Sequence, residues 1–193
     1  ASRLGDAYTD MGARATFTCA PYLLDSAPNL GEQVAWGESN AVVFGNSVLG
    51  ARTMKYPDFL DICIALTGRA PLAGPHADAN RKATLRVEVS DLADIDDSFY
   101  PLLGYKVGAL AGNRIPVIAG LDRAVPTADD LKAFGAAFAT SSSAPMFHIQ
   151  GVTPEAALLA DAVLHDQRIE TIRIAPGDLR PEWEELNTAE DGS

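Results

Sequence analysis

The stretch Ala83-Thr84-Leu85-Arg86-Val87-Glu88-Val89-Ser90, ATLRVEVS, alternates apolar and polar residues, and RIPVIAG at 114–120 follows it after a helical pattern across 99–110. A period of two marks a strand, and an intervening helix is long enough to return the chain so that the next strand runs parallel. The pattern then recurs. TADDLKAFGAAFAT at 127–140 opens with Thr127 and Asp130, a capping box; PMFHIQG at 145–151 reads as a strand; Thr153-Pro154-Glu155 opens another helix; IETIRIA at 169–175 is a strand; GDLRPEWEEL at 177–186 closes with a short helix. Strands alternating with helices predict an α/β fold, a layered and largely parallel sheet covered by helices.

Upstream of this repeat the punctuation differs. ASRLGDAYTDMG reads as a helix stopped by Gly12, and ATFTCAPYLL as a β-branched and aromatic strand broken by Pro21. Residues 34–49 have the length and composition of a buried helix ended by Gly50, and PDFLDICIALTG places Pro57 in a first turn and stops at Gly68. Both helices are expected to face the core. Residues 74–81 are loop-like. The expected organisation is a helix-rich lobe over 1–75 and a βα-repeating lobe over 76–193, or one continuous domain.

With 193 residues, 47% of them hydrophobic, the chain can bury roughly 70% of its unfolded surface, enough for one domain or two packed lobes. The formal net charge of −11 argues against nucleic acid, whose phosphates must be neutralised by Lys and Arg. Charge is unevenly spread, however. Between Arg52 and Arg86 the bases Arg52, Lys55, Arg69, Arg81, Lys82 and Arg86 outnumber the acids Asp58, Asp61 and Asp78. Such a region suits a small anionic ligand, or else a solvated face where bases balance neighbouring acids. Two cysteines, too few for a disulfide scaffold and without CxxC spacing, point to a reducing cytoplasm. No apolar run is long enough for a bilayer and no leader is visible, so no membrane partner is expected. A first residue Ala1 and a polar last stretch from Asn187 to Ser193 read as an excised piece of a longer protein.

Within GESNAVVFGNSVLGART at 37–53, polar residues recur in a segment apolar enough to be interior. On a helix a seven-residue step is nearly two turns, so Ser39 shares a face with Asn46, and Asn40 with Ser47, while Thr53 lies seven beyond Asn46. Buried amides and hydroxyls cost about 1–3 kcal/mol each unless paired. The stripe therefore faces water, another part of the protein, or a ligand. Arg52 at its end carries a fork suited to a carboxylate or phosphate, and Arg69 in TGRAP repeats the arrangement. The two arginines converge on one anion or pair with Asp58 or Asp61. Cys19 sits where the expected strand meets a turn, which would expose its sulfur or leave it a small buried hydrophobe; Cys63, among apolar neighbours, reads as buried. His148 reads as a core or sheet-end residue, His76 as able to face a cleft, and His165 as surface. No His has metal-binding spacing, and neither a Ser-His-Asp set nor a phosphate-cradling Gly loop can be assembled.

Taken in order, TFTCAPYLL, AWGESNAVVFGNSVLGART, KYPDFLDICIALTGRAP, YPLLGY, IPVIAGL, DLKAFGAAFATS and FHIQGVTPEA resemble the large-subunit region of the aconitase X family, the hydro-lyase branch of the aconitase superfamily. The resemblance runs through nearly the whole chain and implies an aconitase-like lobe. It implies a dehydratase that removes water from a small anionic hydroxy acid with an iron or iron–sulfur centre. The preferred reaction is cis-3-hydroxy-L-proline to pyrroline-2-carboxylate, because ARTMKYPDFLDICIALTGR lacks the Asn-Arg-Glu-Gly-Gly run of the archaeal type; the alternative is phosphomevalonate dehydration. On this resemblance Cys19 is the candidate metal or cluster ligand, Arg52 the carboxylate anchor with Thr53 beside it and Arg69 second, and Ser39, Asn40, Asn46 and Ser47 the groups that hydrogen-bond substrate or support it. A family-type cluster needs three cysteines and a small-subunit-like partner domain, so the chain by itself is expected to hold an incomplete ligand set and to be inactive. The rival reading makes it a non-catalytic module whose polar stripe docks a partner.

Overall fold

Leu85–Val89 forms β1, with Leu85, Val87 and Val89 buried and Arg86 and Glu88 half-buried on the opposite side. The same two-sidedness is visible in the sequence. In this computed structural model, which describes residues 2–57, 59–90, 92, 95–163 and 169–187, three further strands join it: β2 (Pro116–Ala119), β3 (His148–Ile149) and β4 (Glu170–Ile174). Their order is β3-β2-β1-β4 and every pairing is parallel, with Leu85 opposite both Pro116 and Glu170 and Val117 opposite His148. This is the α/β layered sheet that the alternating pattern predicts. The order reverses between β1 and β4, because the chain steps from β1 outward to β3 and then returns to the far side of β1.

Seven α-helices are described: α1 (Ser2–Asp10), α2 (Ser39–Phe44), α3 (Leu60–Thr67), α4 (Phe99–Ala111), α5 (Ala128–Ser141), α6 (Leu159–Ala162) and α7 (Arg180–Leu186). The start of α5 is fixed locally. Thr127 Oγ1 accepts the Asp130 N–H while Asp130 Oδ2 accepts the Thr127 N–H, a complete capping box. Helices α4 and α5 pack closely because Gly104 lacks a side chain; a Cβ there would stand 2.3 Å from Phe134 O. Beneath them Phe134 and Phe138 meet Phe147 edge to face, and Val43 and Phe44 of α2 join the same core as Leu85, Val87, Leu103 and Ile118. Burying each ring or branched side chain contributes about 1.5–3 kcal/mol. A second, smaller cluster of Ala83, Ile115, Val117, Met146, Ala156 and Ala162 covers part of the other sheet face.

Five expectations need correction. Residues 15–24 form no strand: they are irregular, largely exposed, and lead into a 3-10 turn at Pro21–Leu23. β-branched residues favour a strand only where a partner edge and a buried face exist, and this segment has neither. Residues 34–38 precede α2 outside any helix, with Gln33 bridged to Arg52, so the buried helix begins at Ser39. It continues as a π-helical turn, Gly45–Leu49, and Gly50 ends it in the left-handed region at φ 68°, where a Cβ would meet Leu30 Cδ1 at 2.3 Å. Helix α3 buries only Ile64, so it is not core-facing, and Cys63 is exposed rather than enclosed. The helix expected from Thr153 is a 3-10 turn, Pro154–Ala156, followed by the single turn of α6. Asp58 and His165 lie outside the described residues.

Candidate functional site

The π-helical turn after α2 carries the polar stripe, and the chain itself pairs its middle. Asn46 is 0% exposed. Its Nδ2 donates to Thr53 O at 2.9 Å and Pro145 O at 3.0 Å, while its Oδ1 accepts the Thr53 N–H at 3.0 Å. Ser47 Oγ accepts the Phe147 N–H at 2.9 Å, and Thr53 Oγ1 donates to Trp36 O and accepts from Trp36 N. The seven-residue spacing of Asn46 and Thr53 is thus a direct hydrogen-bonded pair across the turn. These three residues frame the loop that presents Arg52.

Arg52 reaches from that loop into a cavity of about 330 Å³, lined also by Asp78, Arg81, Lys82, His148, Glu155 and Asp161. Its side chain is 12% exposed. Nε and Nη2 both donate to a single oxygen, Asp78 Oδ1, at 3.0 and 2.8 Å, and Nη1 meets Glu155 Oε1 at 2.6 Å. Arg52 therefore pairs with Asp78 and Glu155 rather than with Asp61. Arg81 is more deeply set: Nε donates to both Glu155 oxygens at 3.1 and 2.8 Å, Nη1 to Pro75 O and Nη2 to Asn46 O. Burial works against its charge, and the Glu155 carboxylate opposes that effect. Lys82 Nζ donates to Asp161 O, and His148 Nε2 to Arg81 O at 2.6 Å. Burial, aided by the charges of Arg81 and Lys82, holds the His148 imidazole below its ordinary range, against the opposing Arg81 carbonyl bond and the charge of Glu155. It is neutral at pH 7.

Beside this cavity runs a second chain of bonds. The Tyr56 hydroxyl donates to His76 Nε2, and His76 Nδ1 donates to Gln33 Oε1, an acceptor only, which assigns the tautomer. His76 is thus buried among partners instead of facing a cleft, and desolvation, with Arg81 nearby, keeps it neutral. The network reaches Arg52 through the Gln33–Arg52 bridge.

The other sequence candidates lie elsewhere or at the margin. Ser39 and Asn40 are half-buried at the start of α2, and Asn40 Oδ1 is buried with no hydrogen-bond partner among the described residues. Arg69 is exposed beyond Gly68 and does not line the Arg52 cavity. Cys19 is exposed just before the turn that carries Tyr22, whose ring lies 4.3 Å from that of Phe44. Arg81, Glu155 and His148 are the site residues that sequence reasoning missed as such. Most of their partners are far off in sequence, Arg81 meeting Glu155 74 residues away and His148 meeting Arg81 O 67 away, and the local trace is a charge set inside short Pro-containing turns, PHADANR and TPEA. A larger cavity of about 600 Å³ opens at the carboxyl ends of β1 and β2, lined by Arg86, Glu88, Gly120, Arg123 and Arg173, where open α/β sheets commonly bind ligands. None of the sequence candidates lines it.

An iron or iron–sulfur centre needs several thiolate, imidazole or carboxylate donors converging on one point. Among the described residues no group of three or more His, Cys, Asp or Glu side chains is arranged to hold a metal ion. The described residues do not fit such a centre by themselves. Among the described residues no helix is long and apolar enough to cross a membrane.

Comparison with known proteins covers the full chain. The model described as Aconitase X first domain matches residues 1–79, and that described as Aconitase X second domain matches residues 83–184. The chain is 67% identical over 195 residues to a cis-3-hydroxy-L-proline dehydratase of Hypocrea jecorina, covering 100% of this chain and 33% of the relative. It is 58% identical over 189 residues to a protein of the same name from Pseudomonas aeruginosa, covering 98% of this chain and 33% of that one. A phosphomevalonate dehydratase large subunit of Methanothermobacter thermautotrophicus is 40% identical over 189 residues, 98% of this chain and 45% of the relative. The crystal structure of Thermococcus kodakaraensis aconitase X in its holo-form superposes with a TM-score of 0.81 at 35% identity, covering 94% of this chain and 45% of that one. The chain thus spans about a third of the length of the two curated dehydratases it matches at highest identity among these.

Proposed function

The chain belongs to the aconitase X family, and on that premise we propose that it forms part of a hydro-lyase that dehydrates cis-3-hydroxy-L-proline. The observation that carries this reading is the margin in identity: both cis-3-hydroxy-L-proline dehydratases stand well above the phosphomevalonate dehydratase subunit over the same span. The remaining two thirds of such an enzyme complete the site. A further domain or subunit of the same enzyme is accordingly the partner, and exposed Phe59, Leu66 and Leu72 on and beside α3 support its packing on that side.

Dehydration of a β-hydroxy acid requires a held carboxylate, a base for the α-proton and assistance to the departing hydroxyl. Arg52 is the anchor. Asp78, 84% exposed at its side chain, occupies the Arg52 fork through one oxygen only, and a substrate carboxylate takes that place with bidentate geometry. Glu155 stays on Nη1 and keeps the guanidinium plane fixed. Asn40, with its bare carbonyl oxygen, and Ser39 bond substrate polar groups, whereas Asn46, Ser47 and Thr53 hold the loop. Arg69 contributes a second positive charge at the mouth of the completed site. Cys19, exposed and free, supplies one thiolate to an iron centre whose other ligands come from the rest of the enzyme, and two free exposed thiols suit a reducing cytoplasm.

The decisive test is turnover by the full-length enzyme. Dehydration of cis-3-hydroxy-L-proline with no turnover of phosphomevalonate is the expected result, and the reverse preference would overturn the reading. Arg52→Ala is expected to raise KM by at least about tenfold, the loss of a charged hydrogen bond.

A further inference from the structure

We propose that His148 is a ligand-binding residue of the Arg52 cavity, its Nδ1 accepting a hydrogen bond from an O–H or N–H group next to the carboxylate that Arg52 holds. The inference rests on the reading of Arg52 as the carboxylate anchor. His148 begins β3, the edge strand of the sheet, and is 1% exposed. Its Nε2 lies 2.6 Å from Arg81 O. A backbone carbonyl only accepts, so Nε2 carries the ring proton, and in that tautomer Nδ1 is a bare lone pair. Nδ1 is buried with no hydrogen-bond partner among the described residues. An acceptor left in that state is costly, and a ligand donor removes the cost.

The surroundings define what that donor belongs to. The imidazole lines the same cavity of about 330 Å³ as Arg52, Arg81 and Lys82, a volume that admits a molecule of proline size. Arg81 is held by Glu155, Pro75 and Asn46, so it shapes the wall and holds His148 through its carbonyl. Arg52 is the cation whose partner, Asp78, stands mostly in solvent. Once Asp78 turns outward the cavity gains a net positive charge beside a neutral acceptor. The ligand class is therefore a small carboxylic acid with a hydroxyl or ring N–H on a neighbouring atom. An acid of the same shape without that donor satisfies Arg52 and leaves Nδ1 bare, and sites built to pair a donor discriminate against analogues that lack it.

Pyrrole-2-carboxylate and furan-2-carboxylate supply this contrast, being planar, nearly equal in size, and different in N–H against O beside the carboxylate. Calorimetric titration of the full-length enzyme is expected to show about tenfold tighter binding of the pyrrole acid. In His148→Gln, whose Nε2 keeps the donation to Arg81 O, the preference is expected to vanish while furan-2-carboxylate binds as before. Arg52→Lys is expected to weaken both acids. No preference in the unsubstituted enzyme, or a preference that survives His148→Gln, overturns the role of His148 alone. Unchanged affinity of both acids in Arg52→Lys overturns the anchor reading and this inference with it. Should His148→Gln fail to fold, the pair of titrations on the unsubstituted enzyme still decides.

Discussion

The two halves of the chain satisfy their polar groups over different distances. Thr127, at the head of α5, finds Asp130 three residues away, whereas Ser47, after α2, finds the Phe147 N–H one hundred residues away and Asn46 finds Pro145 O ninety-nine away. In the βα half the helix caps close within their own turns and the main core cluster is hydrocarbon, with buried His148 and its long-range bond to Arg81 O as an exception. In the upstream half, Asn46, Ser47 and Thr53 lie inside, and Asn46 and Ser47 tie the segment to residues 145–147 beside β3. A region built from local pairs stands without its neighbours' chemistry; one built from distant pairs takes its shape from them. Placing the candidate site in the second kind of region couples ligand geometry to the whole fold.

The sharpest way to break this contrast is at Arg81. Arg81→Met removes the cation that holds Glu155, Pro75 O and Asn46 O, leaving a partly buried carboxylate and two buried carbonyls without that partner. The expected loss is about 3 kcal/mol in urea unfolding, at the lower end for a broken buried pair because Arg52 still meets Glu155. A loss below about 1 kcal/mol, the range of surface pairs, would show that the interior network is ornamental to stability. Ser47→Ala comes next. It strands the Phe147 N–H between α2 and the sheet, and the expected loss is about 1–3 kcal/mol, read from the urea midpoint at unchanged slope.

How much of this was legible in the sequence follows from the same difference in distance. β1, β2, β4, α4 and α5 announce themselves by period, and the Thr127–Asp130 cap by a three-residue spacing. ATFTCAPYLL has strand composition, yet a strand requires a partner edge that composition does not report. The seven-residue rhythm of Ser39, Asn46 and Thr53 suggests one helical face; the π-helical turn at Gly45–Leu49 changes the angular step, and Thr53 lies beyond the helix altogether. Arg52 was visible because a fork at a helix end is a local feature. Its partner Glu155 and the Arg81 and His148 beside it were not, since nothing within a turn of TPEA or PHADANR records that the two segments meet. The proposed role of Cys19 as an iron ligand rests on resemblance and on no local feature of TFTCAPYLL.

The smallest effect tests the local half. Thr127→Ala removes one side of the capping box, and the α5 N-terminus loses the acceptor for the Asp130 N–H. The expected cost is about 1 kcal/mol. Its distribution matters more than its size. Because the cap bonds only within its own turn, amide hydrogen exchange should accelerate in the first turn of α5 and leave the amides of α2 and the Arg52 loop protected as before. Ser47→Ala should instead raise exchange on both sides of its long-range bond, at 45–53 and at 146–149. Exchange that spreads from Thr127→Ala into the Arg52 loop would show one cooperative unit in which local caps and distant pairs are equivalent. Confinement to α5 would show that the βα half carries its own order and that the loop bearing Arg52 depends on contacts made across the fold.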